Sequence, residues 1–181
     1  MKPESVNNLI DELYEEISKG RGCPLCSLMI NYEFNLISQI QYNVTYNDEI
    51  RKQVALEGGF CDFHFRQFKK IANGKTNIIL LKSIINEGVY RKNNFFVECR
   101  ICKSVNNYEN EILQTFLHYI SNEENRKKFD LTNGVCNEHL NKIDKLLPDD
   151  NLKIWLHKVY IMQIERMQSE FEYMSQFKSF Y

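Results

Sequence analysis

The sequence has no long apolar run. Its longest, Ile78-Ile79-Leu80-Leu81, is far short of the roughly 18 residues that a membrane-spanning helix needs, so no membrane span is expected. The opening stretch MKPESVNNLIDELYEEISKG holds no apolar block of the kind a secretory signal requires. The expected location is therefore cytoplasmic, where thiols stay reduced. An excess of either charge is also missing, with 23 Lys plus Arg against 24 Asp plus Glu. Without a broad positive field there is little to release counterions from phosphates, and no nucleic-acid partner is expected. The local run Arg126-Lys127-Lys128 reads as a solvated helix face. Alternation of β-branched and polar residues is nowhere sustained, which excludes an extensive sheet and predicts an all-α fold.

Signatures of catalysis are equally scarce. Gly74-Lys75-Thr76 imitates the end of a phosphate-binding loop, but Lys69 stands where the earlier glycine belongs. No Ser/His/Asp set and no carboxylate pair stands out, so no catalytic residue is assigned. Asn43-Val44-Thr45 matches a glycosylation acceptor, a pattern without meaning in the cytosol. The 181 residues suffice for a single domain.

Six cysteines remain to be explained, at positions 23, 26, 61, 99, 102 and 136. In a reducing compartment such a set points to metal or catalysis rather than to disulfides. Their placement is repetitive. A shift of 76 lays Cys23-Pro24-Leu25-Cys26 on Cys99-Arg100-Ile101-Cys102, and a shift of 75 lays Cys61-Asp62-Phe63-His64 on Cys136-Asn137-Glu138-His139. The second register also superposes Arg51, Lys52, Leu56 and Gly59 on Arg126, Lys127, Leu131 and Gly134. Two tandem repeats, about 20–75 and 96–147, follow. Each retains three Cys and one His. His118 and His157 have no such counterpart, His118 falling opposite Tyr42, and are not expected to be ligands.

Helix signals fill the rest. A first helix over 4–19 ends at Gly20, and Pro24 opens a second that runs to about Gln41. Asn47-Asp48 caps a short helix, Cys61 opens the next, and another covers about Thr76 to Arg91. The second copy repeats the plan over 100–120, 123–130 and 136–147, and a long C-terminal helix covers about 151–180. Its Trp155, Leu156, Val159, Met162, Met167, Phe171 and Met174 form an apolar stripe that reads as core packing or a homodimer interface.

A Cys-x-x-Cys turn at a helix start lets two thiolates converge on one ion, aided by the positive end of the helix dipole. Cys-x-x-His at the next helix start adds a sulfur and an imidazole on one face. Three sulfurs and one imidazole make a closed, tetrahedral, structural zinc site. The expected ligands are Cys23, Cys26, Cys61 and His64 in one copy, and Cys99, Cys102, Cys136 and His139 in the other. Each copy would then be a helical hairpin pinned at its open end by its own metal. Iron–sulfur clusters, one per repeat, are the alternative cofactor. CPLC with GGFCDFH, and CRIC with NGVCNEH, resemble an uncharacterised prokaryotic family with duplicated Cys-x-x-Cys and Gly-Phe-Cys-x-x-His motifs. That resemblance implies metal ligation and nothing about a reaction. The expectation is a zinc-binding helical scaffold or binding protein with an unidentified protein partner, against a redox protein carrying two clusters. Closed sites lean against catalysis.

Overall fold

The computed structural model describes residues 3–87 and 99–177, and all of the regular structure in them is helical. The order is α1 (Pro3–Ser18), α2 (Pro24–Tyr46), α3 (Asp48–Leu56), α4 (Asp62–Ile71), α5 (Gly74–Asn86), α6 (Arg100–Ser121), α7 (Glu123–Phe129), α8 (Asn137–Leu146) and α9 (Asp150–Phe177). The all-α bundle predicted from the sequence is what forms. The expected continuation of α5 to Arg91, and of α9 beyond residue 177, lies outside the described residues.

Capping explains most of the boundaries. Asn47 accepts a hydrogen bond from Ile50 N at 3.1 Å and starts α3. Asn73 accepts from Thr76 N at 2.9 Å and starts α5, while Asn122 accepts from Glu124 N at 2.8 Å and starts α7. Asp149 accepts from Asn151 N at 2.8 Å ahead of α9. Between α3 and α4 the chain turns through Gly58 and Gly59, both at positive φ (81° and 86°). Gly58 N donates to Ala55 O and Gly59 N to Val54 O, which satisfies the last carbonyls of α3 in a tight turn.

Contacts divide the chain into two units, residues 1–28 with 110–181, and residues 29–109. The division cuts α2 after Leu28 and α6 after Glu109. In the first unit α1 buries Leu9, Leu13 and Ile17, spaced four residues apart on one face. The core there also holds Ile112, Phe116, Ile120, Phe129, Ile143 and Leu156. Phe116 meets Phe129 edge-on at 5.2 Å, and Trp155 Nε1 donates to Asp130 Oδ1 at 3.0 Å. The buried Asn125 is satisfied: its Nδ2 donates to Tyr14 Oη at 2.8 Å and to Tyr119 O at 3.1 Å.

In the second unit Ile37, Ile40, Val44, Val54, Phe68, Leu80, Ile84 and Ile101 form a core to which Cys99 also belongs. Cys61 and Cys102 pack against its edge. Buried Thr76 is paired with Thr45, hydroxyl to hydroxyl, at 2.8 Å. Tyr32 of α2 stacks on Tyr108 of α6, with ring centres 3.9 Å apart.

Candidate metal centres

The two copies place their ligands with the same local backbone. Cys61 and Cys136 are the N-caps of α4 and α8, at φ/ψ of −63°/162° and −69°/163°. Neither sulfur caps its helix, so both remain available to an ion, while the cysteine carbonyls accept from Phe65 N and Leu140 N. Cys23 and Cys99 stand just ahead of α2 and α6, accepting from Ser27 N at 3.1 Å and Lys103 N at 3.0 Å. His64 and His139 then follow three residues into their helices, both buried.

All eight expected residues come together in two groups of four, but the groups do not follow the copies. Cys23 and Cys26 converge with Cys136 and His139, and Cys61 and His64 with Cys99 and Cys102. Each group takes its Cys-x-x-Cys from one copy and its Cys-x-x-His from the other. The expectation that each copy closes on its own metal is thereby corrected. Chain geometry supplies the reason. α2 has 23 residues and rises about 34 Å, whereas α3 has nine and returns only about 13 Å. The extended linkers that could have made up the difference are absent, since Gly58 and Gly59 turn the chain tightly into α4. In the second copy the mismatch recurs, with 22 residues in α6 and seven in α7. The group at 61–102 is therefore nested in the chain between the two halves of the other. We call them the inner and the outer centre.

Each centre lies within one unit. In the outer centre His139 Nδ1 stands 3.4, 3.3 and 3.2 Å from the sulfurs of Cys23, Cys26 and Cys136, and Cys26 Sγ is 3.5 Å from Cys136 Sγ. In the inner centre His64 Nδ1 stands 3.2, 3.5 and 3.2 Å from the sulfurs of Cys61, Cys99 and Cys102, and Cys61 Sγ is 3.7 Å from Cys102 Sγ. Around one zinc ion, with Zn–S roughly 2.3 Å and Zn–N roughly 2.05 Å, a tetrahedral shell has edges of about 3.8 Å between sulfurs and about 3.6 Å from sulfur to nitrogen. In each group the three nitrogen–sulfur edges and the one sulfur–sulfur edge given above match those values to within about 0.4 Å, and all four donor atoms lie within 4.8 Å of one another.

Electrostatics separates the thiols. Burial pushes the Cys23 and Cys26 thiols up, and at Cys26 the neighbouring sulfur of Cys23 adds to the rise. Cys102 is pushed up to about 12 by burial and by the sulfurs of Cys61 and Cys99. At Cys61 burial acts in the same sense but is outweighed. The nearby His64 amide, the Cys102 and Cys99 thiols and the Phe63 amide favour its thiolate and hold it below the ordinary thiol range. A thiolate at Cys61 is thus stabilised by its own helix start, while the other raised thiols need a cation to ionise.

Two supporting groups were not anticipated from the sequence. Glu33 Oε1 lies 3.1 Å from His64 Nε2, while Nδ1 of the same ring faces the three sulfurs, the placement of a carboxylate that supports a ligand histidine. The signal was present: the shift that superposes the Cys-x-x-Cys pairs also lays Tyr32-Glu33 on Tyr108-Glu109. Arg100, next to Cys99, makes a two-pronged bond to Glu57, Nε to Oε2 at 2.7 Å and Nη2 to Oε1 at 2.6 Å. It ties the start of α6 to the C-cap of α3, four residues before Cys61. His118 and His157 are exposed and belong to neither group, and His157 Nε2 instead meets Asp144 Oδ1 at 3.1 Å.

Residues 9–96, just under half of the chain, match the model of a family described as a family of unknown function (DUF6062). The matched stretch contains Cys23, Cys26, Cys61 and His64, half the ligands of each centre, and stops before Cys99. No curated protein and no solved structure matches the chain. Among the described residues, no helix is long and apolar enough to cross a membrane.

Proposed function

We propose that the chain binds two structural zinc ions, one in each crossed Cys3His centre, and serves as a metal-stabilised helical scaffold or binding protein. The observation that carries this reading is the matched geometry of the two groups, in which His Nδ1 stands 3.2–3.5 Å from three sulfurs and all four donor atoms lie within 4.8 Å of one another. The donor set fits the ion: thiolate sulfur and imidazole nitrogen are what zinc takes in sites of this kind. Cys23, Cys26, Cys136 and His139 would hold one ion, and Cys61, His64, Cys99 and Cys102 the other. Bound there, zinc supplies charge compensation for clustered thiolates and a cross-link between distant parts of the chain. With all four tetrahedral positions taken by protein atoms, neither centre keeps a position for water or substrate, which supports a structural role over a hydrolytic one.

The compact donor spheres favour a single ion over a four-iron cluster, in which each ligand holds a different iron and the ligands stand further apart. Elemental analysis of protein purified anaerobically, without added metal, tests the assignment. Two zinc per chain is the expected result. Iron with acid-labile sulfide, or less than one metal per chain, overturns it.

A further inference from the structure

The C-terminal half of α9 is a helix that its own unit does not cover. Among the described side chains of the helix Gln163 is the last that is buried, and none from Ile164 to Ser175 is. Twelve residues of isolated helix are marginal in water, and this stretch carries Ile164, Met167, Phe171 and Met174 at 39%, 48%, 61% and 55% exposure. Their spacing of three, four and three residues is the a/d stripe along which a second helix packs. The stripe forms one wall of a groove of about 470 Å³ whose other wall includes Gly22, Asn133 and Val135.

We propose that this face is the homodimer interface, with the α9 helices of two copies packed antiparallel about a two-fold axis at the level of Ser169. The pattern is self-complementary about that point. Ile164 falls opposite Met174 of the second copy, and Met167 opposite Phe171, so both apolar layers pair with themselves under the same operation. Arg166 and Glu170 share one flank of the stripe. Antiparallel packing brings Arg166 of each copy, whose Nη2 donates to Asp130 O of its own chain at 3.2 Å, to within about 3 Å, along the axis, of the level of the other's Glu170. At side-chain areas on the order of 200 Å² the four exposed stripe residues supply about 400 Å² of apolar surface per copy. Since apolar atoms make up about 60% of such interfaces, the two copies would bury roughly 1,300 Å² in total, inside the range of stable complexes. A small ligand in the groove would leave the rest of the stripe in water, whereas a second α9 covers all of it.

Sedimentation equilibrium of the full chain over the micromolar range tests the proposal. The expected mass is twice 21.6 kDa. Phe171→Glu should raise the dissociation constant at least about thirtyfold, the level of an interface hot spot, with an unchanged circular dichroism spectrum. Met174→Gln, a milder change on the same stripe, should weaken association in the same direction. A monomeric wild type, or a dimer that survives both substitutions, overturns the proposal. Zinc content measured on the same samples keeps the two readings apart. A zinc-free dimer would sink the metal assignment alone, and a zinc-loaded monomer would sink the dimer alone.

Discussion

Crossed ligand sharing makes a prediction that closure within each copy reverses. Cys61 and Cys99 belong to one centre, and Cys23 and Cys61 to different ones. Serine at both Cys61 and Cys99 should therefore abolish the inner centre and leave one zinc per chain. Serine at both Cys23 and Cys61 should abolish both centres and leave none. Had each copy closed on itself, the first pair would lose both ions and the second only one. The energetics should show the same grouping. Apparent binding energies of structural zinc are about 10 kcal/mol or more, comparable with the whole stability of a domain, and most of this is lost with the first ligand. Adding Cys99→Ser to Cys61→Ser should then cost little further stability, while adding Cys23→Ser should cost about as much again. Zinc per chain by elemental analysis, with thermal unfolding followed by circular dichroism, reads both effects. One residual ion in Cys23→Ser/Cys61→Ser, together with none in Cys61→Ser/Cys99→Ser, would refute the crossed assignment.

The remaining predictions address loading, orientation, pH and the backbone. The shortest chain segment closed by the inner centre is 35 residues against 110 for the outer, a difference of about 1 kcal/mol in closure entropy. Substoichiometric zinc should therefore favour the inner centre about fivefold, seen as earlier protection of Cys61, Cys99 and Cys102 from alkylation. Glu33→Gln should weaken zinc binding at the inner centre by about 10- to 100-fold, read by competition with a chelator, and leave the outer centre unchanged. Raised apo thiols such as Cys26 and Cys102 must shed their protons on metallation, so acidification should release zinc and alkalinisation should tighten it; pH-independent affinity would contradict this. Gly134 sits at a φ of 67° with Gln163 side-chain atoms about 2 Å from where a Cβ would stand. Gly134→Ala should cost on the order of 1–3 kcal/mol, visible as a lowered melting temperature.

Local chemistry was legible in the sequence because it depends on neighbouring residues. Pro24 after Cys23, Asn47 before Asp48 and the Cys-x-x-His spacing each act within a turn or two, and the helix starts fall where those residues place them. The repeat separated His64 and His139 from His118 and His157 without any structure. What the sequence did not show was which half-motifs meet. Spacings of 34 and 33 residues between half-motifs allow closure within a copy if the linkers are extended. The turn at Gly58 and Gly59 and the shortness of α3 decide otherwise, and both depend on how the cap at Glu57 folds. The stripe on α9 was visible as apolar residues, but separating buried Leu156 and Val159 from exposed Met167, Phe171 and Met174 needed the fold.

Crossing also changes what the duplication means. A single copy of the repeat carries one Cys-x-x-Cys and one Cys-x-x-His, and in this chain each is grouped with the other copy's half-motif. Such a copy holds two half-sites and completes neither, so it would need a second copy to bind an ion with four ligands. Fusing two copies in one chain turns that encounter into an intramolecular one, with the effective concentration set by the connecting segment. The two centres then become interdependent through the chain. Once the inner centre closes residues 61–102, the loop left for the outer centre falls from 110 residues to about 70, which lowers its closure cost by about 0.4 kcal/mol. Inner loading therefore assists outer loading about twofold by chain entropy alone, before any contact between side chains is considered. That order, inner then outer, follows from the nesting of the ligands along the chain, with the same three sulfurs and one imidazole offered at both centres.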